Sequence, residues 1–316
     1  MTNHLVNRRQ ALGTLGLSVG AALINLPASA KDNKKVPGPA FKYSLNMSTI
    51  RGQNLGFIKE LQIAAKAGYS SVEIWINTFE SYLQNGGSAT EAKKIIDDLG
   101  IVVENSIGFA KWIVDDKAMR SAALTQLHSE MEALAKIGCK RIAAPPAGAN
   151  SKDARLIDLN VVTERYLAIL EIGKQTGVMP ILEMWGSSVN LKKISEVLYV
   201  VTECGDKSAR ILMDIFHIFK GGSNFDSVAF VGKPAIDIIH LNDYPSGITP
   251  ATISEPDRIY PGDGIAPIRQ VLQTINDPDK TIVLSLELFN QSYYKQDALL
   301  VAQTGLAKMK AVAEGI

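Results

Sequence analysis

Cysteine is scarce in these 316 residues: Cys139 and Cys204 are far apart, and each sits beside a glycine. No CxxC pair and no Cys/His cluster exists, which excludes a ribbon- or finger-type structural zinc site. Two reduced thiols are the expectation, with a single disulfide as the alternative. Histidine is sparse too, at His4, His128, His217 and His240. No charge sign dominates: 33 basic residues face 32 acidic ones, for a net charge of +1. Without a basic field, or a basic run interleaved with aromatics, nucleic acid and anionic membranes have nothing to grip. Long hydrophobic runs are missing as well. The apolar stretch at 11–26 is interrupted by Gly13, Gly16 and Gly20 and is too short for a comfortable membrane span. What is present is a 46% apolar chain with 21% charge of mixed sign, the make-up of a folded domain with a large core.

The first thirty residues read as a removable leader. Asn7-Arg8-Arg9-Gln10 carries a twin-arginine pair, the mildly apolar stretch follows, and Pro27-Ala28-Ser29-Ala30 places small residues before a cut at Lys31. Residues 1–30 are therefore expected to be a Tat-like signal peptide and the protein to be exported to the periplasm; an uncleaved anchor is the alternative. Losing the leader removes two arginines and leaves 31 basic against 32 acidic residues. Residues 31–40 read as a polar linker marked by proline and glycine.

From residue 41 onward, β-rich runs alternate with amphipathic stretches. Strands are expected at 42–47, 71–75, 101–107, 141–145, 179–184, 209–215, 236–242 and 281–288. Helices are expected at 55–67, 89–99, 117–137, 158–176, 191–203, 266–275 and 295–313, with a short helical piece near 225–231. Glycines follow the first four helices, where the left-handed position after a helix favours them. Strands such as Arg-Ile-Leu-Met-Asp-Ile are apolar on both faces, as parallel strands covered by helices are. Eight β-then-α units argue for one α/β domain over 41–316, a (β/α)8 TIM barrel; an open doubly wound sheet is the alternative.

Chemistry is expected at the strand ends. Ile181-Leu182-Glu183, Leu212-Met213-Asp214, Ile239-His240 and Leu286-Glu287 each close an apolar run with a group that is costly to bury alone. Neighbouring strands lie about 4.8 Å apart, so four such groups at one rim suggest a shared cation. Three carboxylates and an imidazole favour Mn²⁺ as the one divalent metal, with Mg²⁺, Co²⁺ or Zn²⁺ as alternatives. Four unrelated polar groups satisfied by loop amides would be the plainer account. Glu73 and Trp75 are candidates to wall a pocket, and Trp112 and Trp185 to stack on the apolar face of a substrate; core packing is the alternative for each.

The chain resembles the xylose isomerase-like TIM-barrel superfamily, the sugar phosphate isomerase/epimerase family, over the whole stretch from about 41 to 315. The likeness rests on Leu182-Glu183-Met184-Trp185-Gly186, Asp214-Ile215-Phe216-His217, His240-Leu241-Asn242-Asp243, Arg258-Ile259-Tyr260-Pro261-Gly262-Asp263-Gly264 and Leu286-Glu287-Leu288-Phe289. It implies that Glu183, Asp214, His240 and Glu287 hold the metal and that His217 and Arg258 reach the substrate. A metal chelating a carbonyl and its neighbouring hydroxyl acidifies the C–H between them through an enediolate. Glu183 and Glu287 are then the catalytic acid/base pair of an isomerase or epimerase. Elimination by a lyase or dehydratase, acting on an inosose or a 3-keto-glycoside, is the runner-up, and a non-catalytic sugar-binding barrel is the third reading. An AP endonuclease would need more histidines than this chain has. The expected partner is a small sugar or sugar derivative, with no nucleic acid and no membrane once the leader is removed; a homo-oligomer is left open.

Overall fold

The computed structural model describes residues 41–316, so the expected leader (1–30) and linker (31–40) lie outside the described residues. The strands are β1 (Phe41–Asn46), β2 (Ser71–Trp75), β3 (Val102–Ile107), β4 (Arg141–Ala144), β5 (Met179–Glu183), β6 (Ile211–Asp214), β7 (Ile238–Leu241) and β8 (Ile282–Leu286). They pair in parallel and in sequence order, and β1 meets β8 to close the barrel. The helices are α1 (Phe57–Ala67), α2 (Ile76–Gln84), α3 (Ala89–Asp98), α4 (Lys117–Lys136), α5 (Leu159–Thr176), α6 (Ile194–Glu203), α7 (Ile215–Gly221), α8 (Ile268–Ile275) and α9 (Ala298–Ala313). Among the described residues no helix is long and apolar enough to cross a membrane.

Each expected strand is present: β2 has its expected ends, β1 starts and stops one residue earlier, and the other six are trimmed. Two helices were not anticipated. α2 starts directly after Trp75 with no side-chain cap to announce it. α7 is a single short stretch of seven residues, five of them buried, too brief to show a helical period. The stretch at 225–231 is a 3₁₀ helix, Phe225–Phe230. Elsewhere the local signals act as expected. Asp116, Asp158 and Asp297 cap α4, α5 and α9 by accepting from backbone amides. Gly177 ends α5 at φ 77°, a conformation that strains any residue with a Cβ.

The core has two parts. A large outer layer fills the space between strands and helices, with Val72, Ile142, Met213 and Ile239 packed against helix residues such as Leu61, Leu127 and Val200. A small inner layer of Ile107, Ala143, Ile181, Leu212, Ile238 and Val283 plugs the barrel itself. Side chains two apart on a strand share a face. Glu183, Asp214 and His240 therefore follow Ile181, Leu212 and Ile238 into the barrel, and Glu287 follows Val283 and Ser285. At the other end, where strands begin, Arg141 bridges Glu104 (3.2 Å) and Asp237 (3.0 Å), and Lys42 and Lys280 complete the ion network.

The excursion between β7 and α8 is tied down by one buried side chain. Asp243 accepts from the amides of Gly262 (2.9 Å), Gly264 (3.0 Å), Ala266 (2.8 Å) and Tyr244 (2.8 Å). A Cβ on Gly264 would come within 2.2 Å of the Tyr244 carbonyl oxygen, so glycine is required there by close approach. The Pro-Gly-Asp-Gly motif is thus the wrapping of a carboxylate. Hydrogen bonds to a charged group contribute about 1.5–3 kcal/mol each. Asp243→Ala is expected to lower the unfolding free energy by about 3 kcal/mol, and Asp243→Asn by less, measured by urea denaturation. Equal stability of all three proteins would show that the excursion does not depend on this carboxylate.

Candidate metal centre

β6, β7 and the end of β8 bring three donors together. Asp214, His240 and Glu287 each offer one atom within 4.8 Å of the others, and all three are buried. Nδ1 of His240 lies 3.0 Å from Glu287 Oε2 and 3.5 Å from Asp214 Oδ2. Glu183 stands slightly apart, with Oε1 3.9 Å from the same nitrogen. The register explains this: Glu183 pairs with Leu212, whereas Asp214 pairs with His240, so Glu183 sits one inward step earlier. The three carboxylates assigned from the strand ends therefore surround one nitrogen of the fourth residue, His240.

Within this cluster, His240 Nδ1 and Glu183 Oε2 are buried atoms without a hydrogen-bond partner among the described residues. Unpaired polar atoms are costly in a dry interior, and a cation would satisfy both. Three carboxylates and one imidazole nitrogen suit a hard or borderline divalent ion, so the residues present fit such a group. The electrostatics point the same way. Burial pushes the Glu183 carboxyl up to about 8, reinforced by Glu287 and Asp214 against the pull of His240. Burial opposes charge on His240, but the Glu287 and Glu73 carboxylates outweigh it and hold the imidazole well above its usual range. Burial also opposes charge on Asp214; Arg258, His217 and His240 overcome it and keep the carboxyl well below the usual range. The cluster is short of positive charge, which a proton or a metal ion can supply.

Glu73 differs from the expectation. It is fully buried and does not line the cavity; its Oε2 lies 3.0 Å from His240 Nε2. Asn105 donates to it at 2.7 Å and Asn46 at 3.3 Å. The reason is its place on β2, where it points inward beneath the rim. Its role is to hold His240 by one nitrogen and leave the other facing the centre, a carboxylate–histidine arrangement that orients a ligand. Trp112 also departs from its assigned place. Its indole is buried against Tyr166 and donates to the Pro145 carbonyl at 2.8 Å, so it packs the core and does not stack on a substrate.

The remaining candidates meet at the mouth. A cavity of about 170 Å³ is lined by Trp75, Phe109, Trp185 and Phe289 on its aromatic side, and by Glu183, Glu287, His217 and Arg258 among its polar groups. Burial drives the His217 imidazole down to about 4, so it is neutral near pH 7, and its Nδ1 has no partner among the described residues. Arg258 is 1% exposed. Its Nη1 donates to Asp214 Oδ2 (2.6 Å) and to Glu287 Oε2 (2.9 Å). Asp214 is shared in a second way, because its Oδ1 accepts from the His217 amide (3.1 Å) and from Asn242 (3.1 Å).

Several residues were not anticipated. Asn46 donates to Glu287 (3.1 Å) and accepts from the Trp75 indole (3.0 Å). Its signal was present: a buried amide closing an apolar strand, like the carboxylates. Phe109, Asn150, Ser187 and Phe289 come from loops, and Glu255 from a single 3₁₀ turn (Glu255–Asp257), where no periodicity marks a site.

Residues 61–312 match the family model described as xylose isomerase-like TIM barrel. The chain belongs to this family. An inosose isomerase from Bacillus velezensis is 26% identical over 275 residues, covering 84% of this chain and 94% of the relative. The crystal structure of IolI protein with a bound zinc atom aligns with a TM-score of 0.77 at 22% identity, covering 86% of this chain and 98% of that one. D-psicose 3-epimerase, crystallised with D-fructose, aligns at 0.68 and 19% identity over 87% of this chain and all of that one. At these identities the structural likeness concerns the barrel shared across the family. Removing the His240 support tests the local geometry directly. Glu73→Gln is expected to weaken Mn²⁺ or Zn²⁺ binding by about 10–100-fold in calorimetric titration. Affinity equal to that of the parent protein would refute the supporting role.

Proposed function

We propose that this chain is a metal-dependent isomerase or epimerase acting on a keto-sugar or keto-cyclitol. The carrying observation is that Glu183 and Glu287 both enter one small cavity, from β5 and the end of β8, with Asp214 and His240 between them in strand order. A divalent ion on Glu183, Asp214, His240 and Glu287, Mn²⁺ in this reading, would polarise a carbonyl and its neighbouring hydroxyl. The rest is done by the protein. One glutamate takes the proton from the carbon next to the carbonyl, and the other returns it from the opposite side. His217 presents an unpartnered nitrogen to a substrate oxygen, and Arg258 holds the Glu287 carboxylate in place. The aromatic side offers flat apolar faces to the C–H groups of a ring.

The relatives named inosose isomerase support the isomerase class, and the zinc in the IolI structure supports a divalent ion. Export through the expected leader would favour a sugar without phosphate. Among the described residues lining the cavity, the one cationic side chain, Arg258, is already engaged by carboxylates, which is consistent with a neutral substrate.

The decisive experiment is proton exchange. The Mn²⁺-loaded protein is incubated in D₂O with inosose and with free ketohexoses, and deuterium at the carbon beside the carbonyl is followed by NMR. Exchange with at least one substrate is expected, and Glu183→Gln and Glu287→Gln should each slow it by about 10²–10⁴-fold. Unsaturated product with loss of water or an aglycone would mark a lyase instead. Sugar binding without exchange would mark a binding barrel. Undiminished exchange in either variant would overturn the two-glutamate mechanism.

A further inference from the structure

We propose that Glu255 is a positioning residue that holds the second amino group of Arg258 off the metal-binding carboxylates. The inference rests on the reading that Asp214 and Glu287 bind a divalent ion. Arg258 Nη1 touches Asp214 Oδ2 and Glu287 Oε2, the same two oxygens that approach His240 Nδ1. A guanidinium charge and a divalent ion therefore draw on the same oxygens, and like charges oppose each other strongly in a dry site. Where the guanidinium sits decides how much room a metal has.

Its position is set from several sides. The ring of Phe216 lies 4.2 Å from the guanidinium carbon and that of Phe289 5.1 Å, so the plane is confined. His217 Nε2 is 3.5 Å from Nη2. The one charged partner outside the ligand set is Glu255, whose Oε2 pairs with Nη2 at 2.6 Å. This pair draws the second amino group toward the mouth. Without it, both amino groups are free to fork onto the ligand carboxylates, the arrangement that guanidinium–carboxylate geometry favours.

The Glu255 side chain is 42% exposed, so it is not a packing residue. Its turn closes without its carboxylate: Asp257 accepts from the Ser254 amide and hydroxyl, and Asn290 donates to the carbonyls of Pro256 and Arg258. A change at Glu255 thus alters the grip on Arg258 and leaves the loop in place.

The test is a calorimetric Mn²⁺ titration of the full chain, with thermal midpoints recorded alongside. Glu255→Gln is expected to weaken Mn²⁺ binding by about tenfold with an unchanged midpoint. Glu255→Asp keeps the charge but shortens the reach, and should weaken binding as well. In an Arg258→Met background, Glu255→Gln should add no further loss. Parent-like affinity in Glu255→Gln overturns the inference. So does full affinity in Glu255→Asp, or an equal loss in both backgrounds, since either means that only the charge of Glu255 matters. If the Met variant does not fold, Glu255→Asp decides alone. If the parent protein takes up no Mn²⁺, the metal centre itself is refuted and this inference falls with it; a parent that binds and a Glu255→Gln variant that matches it refute the inference only.

Discussion

The structure turns on a concentration of negative charge in a buried space. Glu73, Glu183, Asp214 and Glu287 crowd around one imidazole, and His240, Glu73 and Asp214 have no exposed surface. Leaving such groups unpaired in a protein interior is far more costly than any single packing contact is favourable. The neighbourhood supplies counter-charge by every route open to it: a raised histidine, a buried arginine, and amide donors from Asn46, Asn105 and Asn242. A cation is the remaining element that such a donor set calls for.

The barrel makes that concentration tolerable by separating two ends. The inner layer of Ile107, Ala143, Ile181, Leu212, Ile238 and Val283 lies along the same inward faces that carry Glu183, Asp214, His240 and Glu287. At the strand starts, Glu104 and Asp237 are matched by Arg141, Arg210, Lys42 and Lys280. Those pairs are partly exposed, and each contributes little on its own. Sites this far apart, with no shared partners, respond to substitution independently.

Much of this was legible in the residues. Apolar runs ending in a lone polar group gave the strands, and strict alternation gave the barrel. Their place at the ends of successive strands then put Glu183, Asp214, His240 and Glu287 at one rim. What escaped was whatever lacked a period. α7 escaped because it is short, five of its seven residues are buried, and its cap, Asp214, reads equally well as a metal ligand. Glu73 and Trp112 were assigned to the substrate because burial depth along a strand or behind a loop leaves no mark in composition. The loop residues at the mouth escaped because contacts such as Glu255 with Arg258 depend on how an irregular excursion folds back.

Asp214 carries two duties on its two oxygens, starting a helix with one and facing the centre with the other. Any replacement there is a compound lesion. Loss of a donor arrives together with an untied first turn and a displaced His217, and a dead mutant would say little about which loss mattered. Replacements at His240 or Glu287, which cap nothing, give the cleaner genetic dissection. An inherited change at Asp214 would also have to be repaired at two places at once, so the position has few neighbours in sequence space that keep the site intact.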